Sequence, residues 1–251
     1  MRNFLKTIGF IISTILIFIL VAWFANTITQ HIITDVKIEN FKNKAVLQED
    51  ISSSTLKFYK VESDEEQGFM KSGGLIYPGN RCDVIVSRNS AINVPVAREL
   101  VTFFAGGHAA LITGAYEDYN IYSDKETIIE ETGMNEGLNI SELNNRYYWI
   151  NGAYEEVIVL RANNINEEQK DEVISNAMSL LGDPYNYSFT FDNTNKSYCS
   201  DLVSKCFDKV GINLNKNGYW TTIYDLIVSS DCHIAYYHYK KDGIKYIYYV
   251  G

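Results

Sequence analysis

A cysteine at the start of a predicted helix is the residue of this chain best suited to nucleophilic chemistry. Cys199 follows Tyr198 and precedes an apolar helical stripe that contains Leu202, Val203 and Cys206. The first N–H groups of a helix have no intrahelical partners and the dipole is positive at that end, so both favour a thiolate over a thiol. The same stripe supports a second interpretation, in which Cys199 is simply a buried core residue.

A thiolate nucleophile needs a base, and His108 is the histidine best placed to serve as one. It follows Gly106 and Gly107 at the start of a predicted apolar strand, where the glycines leave the imidazole accessible. A carboxylate would orient the imidazole, and Glu130 and Glu131 lie together at the end of another predicted strand. Because neighbouring strand residues face opposite ways, only one of these glutamates can point at His108.

The elements that must position these residues form a predicted α+β domain after residue 75. Strands follow each other closely in its centre, which favours a mostly antiparallel sheet with packed helices. Helices are expected from about 95 to 105, from a capping-box signal at Asn166 to about 181, and from Cys199 to about 210. Strands are expected at residues 83–87, 108–113, 119–122, 126–131, 147–150 and 156–160, with a closing hairpin at 233–250.

An uncharged run near the N-terminus predicts a membrane-spanning helix. The 18 residues from Ile8 to Ala25 carry no charge and would span about 27 Å as a helix, close to the thickness of a hydrocarbon core. Arg2 and Lys6 precede the run, so the positive-inside rule keeps the N-terminus in the cytoplasm. We therefore expect a single-pass membrane protein whose C-terminal domain lies outside the cytoplasm.

A cleaved signal peptide is the competing interpretation of this run. Its apolar region should be shorter and should end in small residues, whereas this run ends with Trp23 and Phe24 beside alanines. An uncleaved anchor is therefore favoured. The predicted organisation is a cytoplasmic tip and transmembrane anchor (1–30), a polar and partly helical stem (31–74), and a catalytic domain (75–251).

The charge and the cysteine content exclude several classes of function. The chain carries 22 basic and 31 acidic side chains, a net charge of −9, and it reaches −11 once residues 1–25 are left out. Such an acidic domain is a poor partner for nucleic acid. Four cysteines are too few for a disulfide scaffold, and Cys232 and His233 would point to opposite faces of a strand. We expect no metal and no cofactor.

Five segments, taken in their order along the chain, resemble one enzyme family. They look like the circularly permuted papain-like, NlpC-related hydrolases of the YiiX and YebB type. In that family the histidine strand comes first, an acidic residue follows, and the nucleophilic cysteine opens a late helix. The matching segments are Pro78–Val86, Gly107–Ile112, Ile128–Glu130, Gly182–Phe189 and Tyr198–Leu202.

The resemblance implies a role for each candidate residue and a permuted papain-like fold behind the anchor. It also implies a hydrolase that needs no cofactor. Glu131 stays open as the alternative orienting residue. The implied roles are nucleophile for Cys199, base for His108, orienting residue for Glu130, and helpers near the oxyanion for Tyr185 and Tyr198.

The chain departs from the usual pattern of this family at three positions. Cys82 stands where glycine is usual, Gly107 where serine is more usual, and Asp201 where glutamate is usual. None of these positions belongs to the implied triad. We therefore expect the departures to change the shape of the cleft more than its chemistry.

Three functions are consistent with these residues. The first is a membrane-anchored cysteine hydrolase of the amidase or peptidase type that acts outside the cytoplasm, with cell-wall peptides as a candidate substrate. The second is a lipid acyl hydrolase or acyltransferase that uses the same triad. The third is an anchored binding module without catalysis. The expected partners are a membrane, through the N-terminal helix, and a peptide or acyl substrate.

Overall fold

The architecture was obtained from a computed structural model of the chain. The structure describes residues 2–64, 78–89, 95–114, 128–131, 141–144, 149, 154–189, 195–216, 218 and 220–251. The strands expected at 119–122 and 147–150 lie outside the described residues, apart from Trp149. The side chain of Glu131 also lies outside them.

The chain begins with one continuous helix, α1 (Arg2–Asn43). It contains a segment long and apolar enough to cross a membrane, with a mean hydropathy of 2.7 over its 18-residue window and no burial of that window against the rest of the chain. The helix does not end with the apolar run but continues for almost twenty residues beyond Ala25.

In the part of the chain that the structure describes, nine strands form one sheet. Seven of the eight pairings between neighbouring strands are antiparallel, and the eighth, between β2 and β9, is parallel. The order across the sheet is β1-β2-β9-β8-β7-β3-β4-β5-β6. The mostly antiparallel α+β fold expected from the sequence is confirmed. The strands are β1 (Val46–Leu47), β2 (Leu56–Val61), β3 (Val84–Ser87), β4 (His108–Ile112), β5 (Ile128–Glu131), β6 (Ser141–Asn144), β7 (Glu156–Ala162), β8 (Cys232–Lys241) and β9 (Ile244–Val250).

Both faces of the sheet are covered by apolar packing, and alternation along the strands explains how. In β4, Ala109 and Leu111 belong to the core on the helical face, whereas Ala110 and Ile112 belong to the core on the other face. Successive strand residues point to opposite faces, so an apolar run without polar alternation is what a strand buried on both sides requires.

Four shorter helices accompany α1 among the described residues, and local sequence signals explain where two of them start. The helices are α2 (Pro95–Phe104), α3 (Glu167–Met178), α4 (Cys199–Asp208) and α5 (Ile223–Val228). The capping box expected at Asn166 is present, with Gln169 as its partner, and a second one joins Thr222 and Asp225 at the start of α5. Helix α5 was not expected from the sequence.

The segment between the apolar run and residue 61 packs against the rest of the fold. Strand β2 pairs with β9, and the buried Ile38 and Phe41 of α1 join the core on the helical face. Polar contacts add to this packing, because Gln30 Nε2 donates to Asp225 Oδ1 and Lys37 Nζ donates to the carbonyl oxygens of Ile227 and Ser229. The division of the chain into anchor, stem and catalytic domain stays a prediction.

Candidate active site

The register of β4 and β5 brings His108 and Glu130 together. Ala110 pairs with Glu130 across these antiparallel strands, and His108 lies two positions before Ala110. Side chains at such diagonal positions share a face and lie within reach of each other. His108 Nε2 lies 2.7 Å from Glu130 Oε2, and both side chains are largely buried. Of the two glutamates considered, Glu130 therefore contacts the imidazole.

Cys199 is the first residue of α4, as the sequence predicts. The N-cap residue Tyr198 makes no side-chain capping bond there, unlike Asn166 at the start of α3 and Thr222 at the start of α5. The N–H groups of this helix terminus are thus left for other acceptors. One of these groups, the backbone N–H of Ser200, donates to the Cys199 sulfur.

The sulfur of Cys199 lies within hydrogen-bonding reach of the imidazole of His108. Since Nε2 faces Glu130, Nδ1 is the ring nitrogen left for the sulfur. The backbone N–H of Ala109, which follows His108 in β4, also donates to this sulfur. The helix and the strand therefore bring together a cysteine, a histidine and a glutamate that are far apart in sequence.

The electrostatics of this pair favour the charged forms of both side chains. Burial raises the pKa of Cys199, but His108 and the N–H groups of Ala109 and Ser200 lower it by more, so the pKa lies below its ordinary value. Burial lowers the pKa of His108, but Tyr154, Cys199 and Glu130 raise it by more, so the pKa lies well above its ordinary value. The arrangement favours a thiolate beside an imidazolium.

The other three thiols have the opposite character. Burial, as the largest cause, raises the pKa of Cys82 to about 12, that of Cys206 to about 12 and that of Cys232 to about 11. A protonated, buried thiol is a poor nucleophile. Cys199 is thus distinguished from the other cysteines by its environment, although it shares their burial.

Two aromatic residues beside His108 were missed by sequence reasoning. The Trp149 ring stacks on the imidazole with centroids 5.4 Å apart and planes 14° apart, and it is almost fully buried. The Tyr154 ring lies 6.4 Å from the imidazole and 4.5 Å from Trp149. Such packing excludes water from one face of the base. Nothing in their local sequence separates these two residues from the many other aromatic residues of the chain.

The two tyrosines implied as helpers have other contacts. Tyr198 Oη accepts a hydrogen bond of 2.7 Å from the N–H of Thr221, and burial, as the largest cause, raises the pKa of the phenol. The Tyr185 ring contacts Tyr187 at 4.8 Å and Phe189 at 6.3 Å. These contacts fix the backbone and the rings around the start of α4. A role near the oxyanion stays a prediction for both residues.

Two of the departures from the family pattern have a visible structural consequence. A Cβ on Gly107 would lie 2.2 Å from the carbonyl oxygen of Asn89 and 2.7 Å from that of Ser87, so the serine more usual there does not fit this backbone. Cys82 has a φ of 70°, in the left-handed region where glycine is favoured. The third departure, Asp201, forms an ion pair of 2.6 Å with Lys205.

The side chains around Cys232, considered above as metal ligands, each contact a different partner. Cys232 Sγ donates to the carbonyl oxygen of Leu226 at 3.1 Å. His233 Nδ1 lies 2.7 Å from the side-chain oxygen of Asn163. These contacts account for the positions of both side chains.

Comparison with known proteins gives a family match and a likeness to solved structures. The sequence model of the permuted papain-like amidase enzymes (YaeF/YiiX, C92 family) matches residues 91–233. The crystal structure of the metalloprotein yiiX from Escherichia coli O157:H7 is 16% identical, covers 63% of this chain and 97% of its own, and gives a TM-score of 0.47. No curated protein matches the chain.

The family match confirms the resemblance drawn from the sequence. It includes His108, Glu130 and Cys199, and it spans more than half of the 251 residues. The likeness to NlpC enzymes in particular stays a prediction. The chain therefore belongs to the permuted papain-like amidase family, a family of thiol-dependent hydrolases.

Proposed function

We propose that this protein is a membrane-anchored amide hydrolase that uses Cys199 as nucleophile, His108 as acid and base, and Glu130 as the residue that orients the imidazole. The observation that carries this proposal is the contact of His108 with Cys199 on one side and with Glu130 on the other. Cysteine, histidine and an orienting group within hydrogen-bond reach are what this chemistry requires.

In the first half of the reaction, the Cys199 thiolate attacks the carbonyl carbon of the substrate amide. The carbonyl oxygen becomes an oxyanion, and N–H groups at the start of α4 can donate to it. When the C–N bond breaks, the imidazolium of His108 gives its proton to the leaving amine. The acyl group is now held as a thioester on Cys199.

In the second half of the reaction, water replaces the amine. Neutral His108 takes a proton from the water, whose oxygen attacks the thioester carbon. The C–S bond then breaks, which releases the carboxylic acid and restores the thiolate beside the imidazolium. Glu130 stabilises the charge that the imidazole carries at both ends of the cycle, because its carboxylate accepts the hydrogen bond from Nε2.

The N-terminal helix supports the anchored part of this proposal. Its apolar run has the length and hydropathy of a membrane span. At the end of that run Trp23 stacks on Phe104 with centroids 4.2 Å apart, and Phe24 lies 5.4 Å from Phe103. Cleavage after the run would remove these partners of the domain, which favours an uncleaved anchor. The preceding Arg2 and Lys6 favour a domain outside the cytoplasm.

Product analysis with the full chain in detergent tests the proposed chemistry. We expect the native chain to release new amines from cell-wall peptides, detected by mass spectrometry, and Cys199→Ser to release none above background. Cys206→Ser is the matched control, since it removes a thiol from the same helix away from the imidazole. Equal release by the native chain and Cys199→Ser would contradict the proposal.

Acyl hydrolysis with the same triad is a second candidate function. The observation that favours it is exposed aromatic surface near the start of α4, where the Phe189 ring lies 5.3 Å from the Tyr198 ring and is 41% exposed. An apolar chain could lie along such a surface. Release of fatty acid from phospholipid, without release of amine from peptides, would support this candidate over the first.

The anchor and its orientation have a separate test. Intact mass of the protein from expressing membranes is expected to equal that of the whole chain, and a protease added outside the cytoplasmic membrane is expected to digest the domain. A mass that lacks the first 25 residues would contradict the anchor. A domain protected from external protease until the membrane is opened would contradict the orientation.

A further inference from the structure

Helix α2 carries apolar side chains that continue the apolar surface of the proposed membrane span. Val96 and Leu100 are one turn apart on one side of the helix and are 70% and 56% exposed. Phe103 and Phe104 follow in the next turn and pack against Phe24 and Trp23. The apolar side chains of α2 therefore run without a break from solvent-exposed positions to the end of the span.

A third aromatic residue extends this surface from another part of the chain. The Trp220 ring lies edge-on to Trp23, with centroids 5.8 Å apart, and is 41% exposed. Tryptophan is enriched at the boundary between a bilayer and water, where its amphipathic ring is stable. Because Trp23 belongs to the apolar run itself, residues that contact it lie at the depth where the run leaves the hydrocarbon.

We propose that Val96, Leu100 and Trp220 form a bilayer-contact surface, through which the domain rests on the membrane that its own anchor spans. The proposal rests on the proposed anchor and adds a second, interfacial attachment. An interfacial helix buries its apolar face about 5–10 Å into the headgroup and acyl boundary. The acidic domain offers little attraction to anionic headgroups, so the contact is apolar and requires no particular lipid charge.

This surface is linked to the candidate active site by short stretches of chain. His108 follows Phe104 by four residues, and Ile223 donates its N–H to the carbonyl oxygen of Ala105 between them. On the other side, Thr221 follows Trp220, donates its N–H to Tyr198 Oη and accepts from Ser200 Oγ. Contact with the bilayer would thus hold both the base and the nucleophile close to the membrane surface.

Depth-dependent quenching in vesicles tests the bilayer-contact surface. The full chain carrying Cys199→Ser is given one new cysteine, labelled with a nitrobenzoxadiazole dye, and reconstituted into phosphatidylcholine vesicles that contain phosphatidylcholine with a nitroxide at acyl carbon 5. We expect strong quenching of dyes at Leu100→Cys and Val96→Cys. A dye at Asp242→Cys is the control and should stay unquenched.

The control position lies far from the proposed surface. Lys42 lies 18 residues beyond Phe24, about 27 Å along α1, and its ammonium lies 5.5 Å from the centroid of the Tyr239 ring, near the turn that contains Asp242. A dye at Leu16→Cys, inside the apolar run, reports the anchor separately. Each labelled chain is first checked for native unfolding behaviour.

The two proposals can fail independently in this experiment. Quenching at Leu16→Cys without quenching at Leu100→Cys would overturn the bilayer-contact surface and leave the anchor intact. If the lipid nitroxide does not quench the dyes at Leu100→Cys but these dyes quench each other, the surface contacts a second copy of the chain. This outcome would also overturn the proposal. Absence of quenching at Leu16→Cys would contradict the anchor itself.

Discussion

The catalytic proposal depends on three side chains, and the role of each follows from its contacts. His108 lies between a thiol and a carboxylate, so a positive imidazole is stabilised from both sides. The lowered pKa of Cys199 and the raised pKa of His108 are two descriptions of this one ion pair. Removing any one of the three groups should therefore change the protonation of the other two.

Glu130→Gln tests the orienting role. An amide keeps the shape of the side chain but removes its charge, so we expect the pKa of His108 to fall, that of Cys199 to rise, and amide hydrolysis to drop by about 10²–10⁴-fold. The pH dependence of Cys199 alkylation measures the pKa change without a substrate. Glu131→Gln is the matched control, and an equal shift in both variants would remove the case for Glu130.

Gly107→Ala tests whether the backbone before His108 must lack a side chain. The added Cβ would collide with the Asn89 carbonyl, so we expect a loss of about 1–3 kcal/mol in unfolding free energy and slower alkylation of Cys199. Gly182→Ala is the control for alkylation only: its φ of 85° strains an alanine and costs stability, but its Cβ would meet open space. Alkylation in Gly107→Ala at the native rate would contradict a clash that reaches the site.

At the scale of the elements, α1 is both a candidate span and a packed part of the domain. Its residues Gln30 and Lys37 make buried or half-buried bonds to α5 and the residues just after it. Lys37 Nζ lies at the C-terminal end of α5, where unpaired carbonyls and the negative end of the helix dipole favour a cation. Helix α1 thus holds α5 in place. At the start of α5, Ile223 donates its N–H to the carbonyl oxygen of Ala105, shortly before the strand β4 that carries His108.

Lys37→Met tests this docking. The methionine keeps the apolar part of the side chain but removes the ammonium, which donates to the carbonyl oxygens of Ile227 and Ser229. We therefore expect a loss of about 1–3 kcal/mol in unfolding free energy. Chemical denaturation of the full chain in one detergent measures it. Lys44→Met, at an exposed position near the end of the same region, should change stability by less than about 0.5 kcal/mol. Equal stability of native chain and Lys37→Met would contradict the docking.

Local signals explain which elements the sequence predicts. The capping box at Asn166, the turn before β9 and the glycines before β4 each act within a few residues, and the corresponding elements are present. Helix α5 has only six residues, too few for a periodic pattern. The parallel pairing of Leu56 with Lys245 joins segments far apart in the chain, which no local pattern encodes.

The site could be predicted only in part, for a similar reason. Cys199 and His108 lie at the ends of elements, beside a helix start and two glycines, and such positions are visible in a sequence. The sequence alone does not distinguish Glu130 from Glu131 as the orienting residue, because that requires the register of β4 and β5. Trp149 and Tyr154 were missed because an aromatic residue that shields a base has the same local pattern as one in any core.

At the scale of the whole molecule, the stability of the domain should depend on pH through a buried histidine. His238 is almost fully buried, its Nδ1 lies 3.0 Å from Tyr236 Oη, and burial followed by Lys245 holds its pKa well below the ordinary value. The unfolded chain binds a proton there below about pH 6.5, whereas the folded chain does so only at lower pH. This contribution to stability is therefore present above that pH and is lost as the pH falls.

His238→Gln tests this dependence. Between pH 7 and the lowered pKa, one such histidine changes the unfolding free energy by up to about 1.4 kcal/mol per pH unit, so the variant should lose less stability on acidification than the native chain. Unfolding measured at several pH values gives the two slopes. An unchanged slope in His238→Gln would contradict the account.

The most direct test of the central claim is the rate at which iodoacetamide alkylates each of the four cysteines, measured by mass spectrometry as a function of pH. We predict that Cys199 reacts at pH 7 at least about a hundredfold faster than Cys82, Cys206 and Cys232, whose raised pKa values leave them protonated. His108→Ala should move the Cys199 profile to higher pH. Slow and equal alkylation of all four thiols, or a Cys199 profile that His108→Ala leaves unchanged, would contradict a thiolate held by His108.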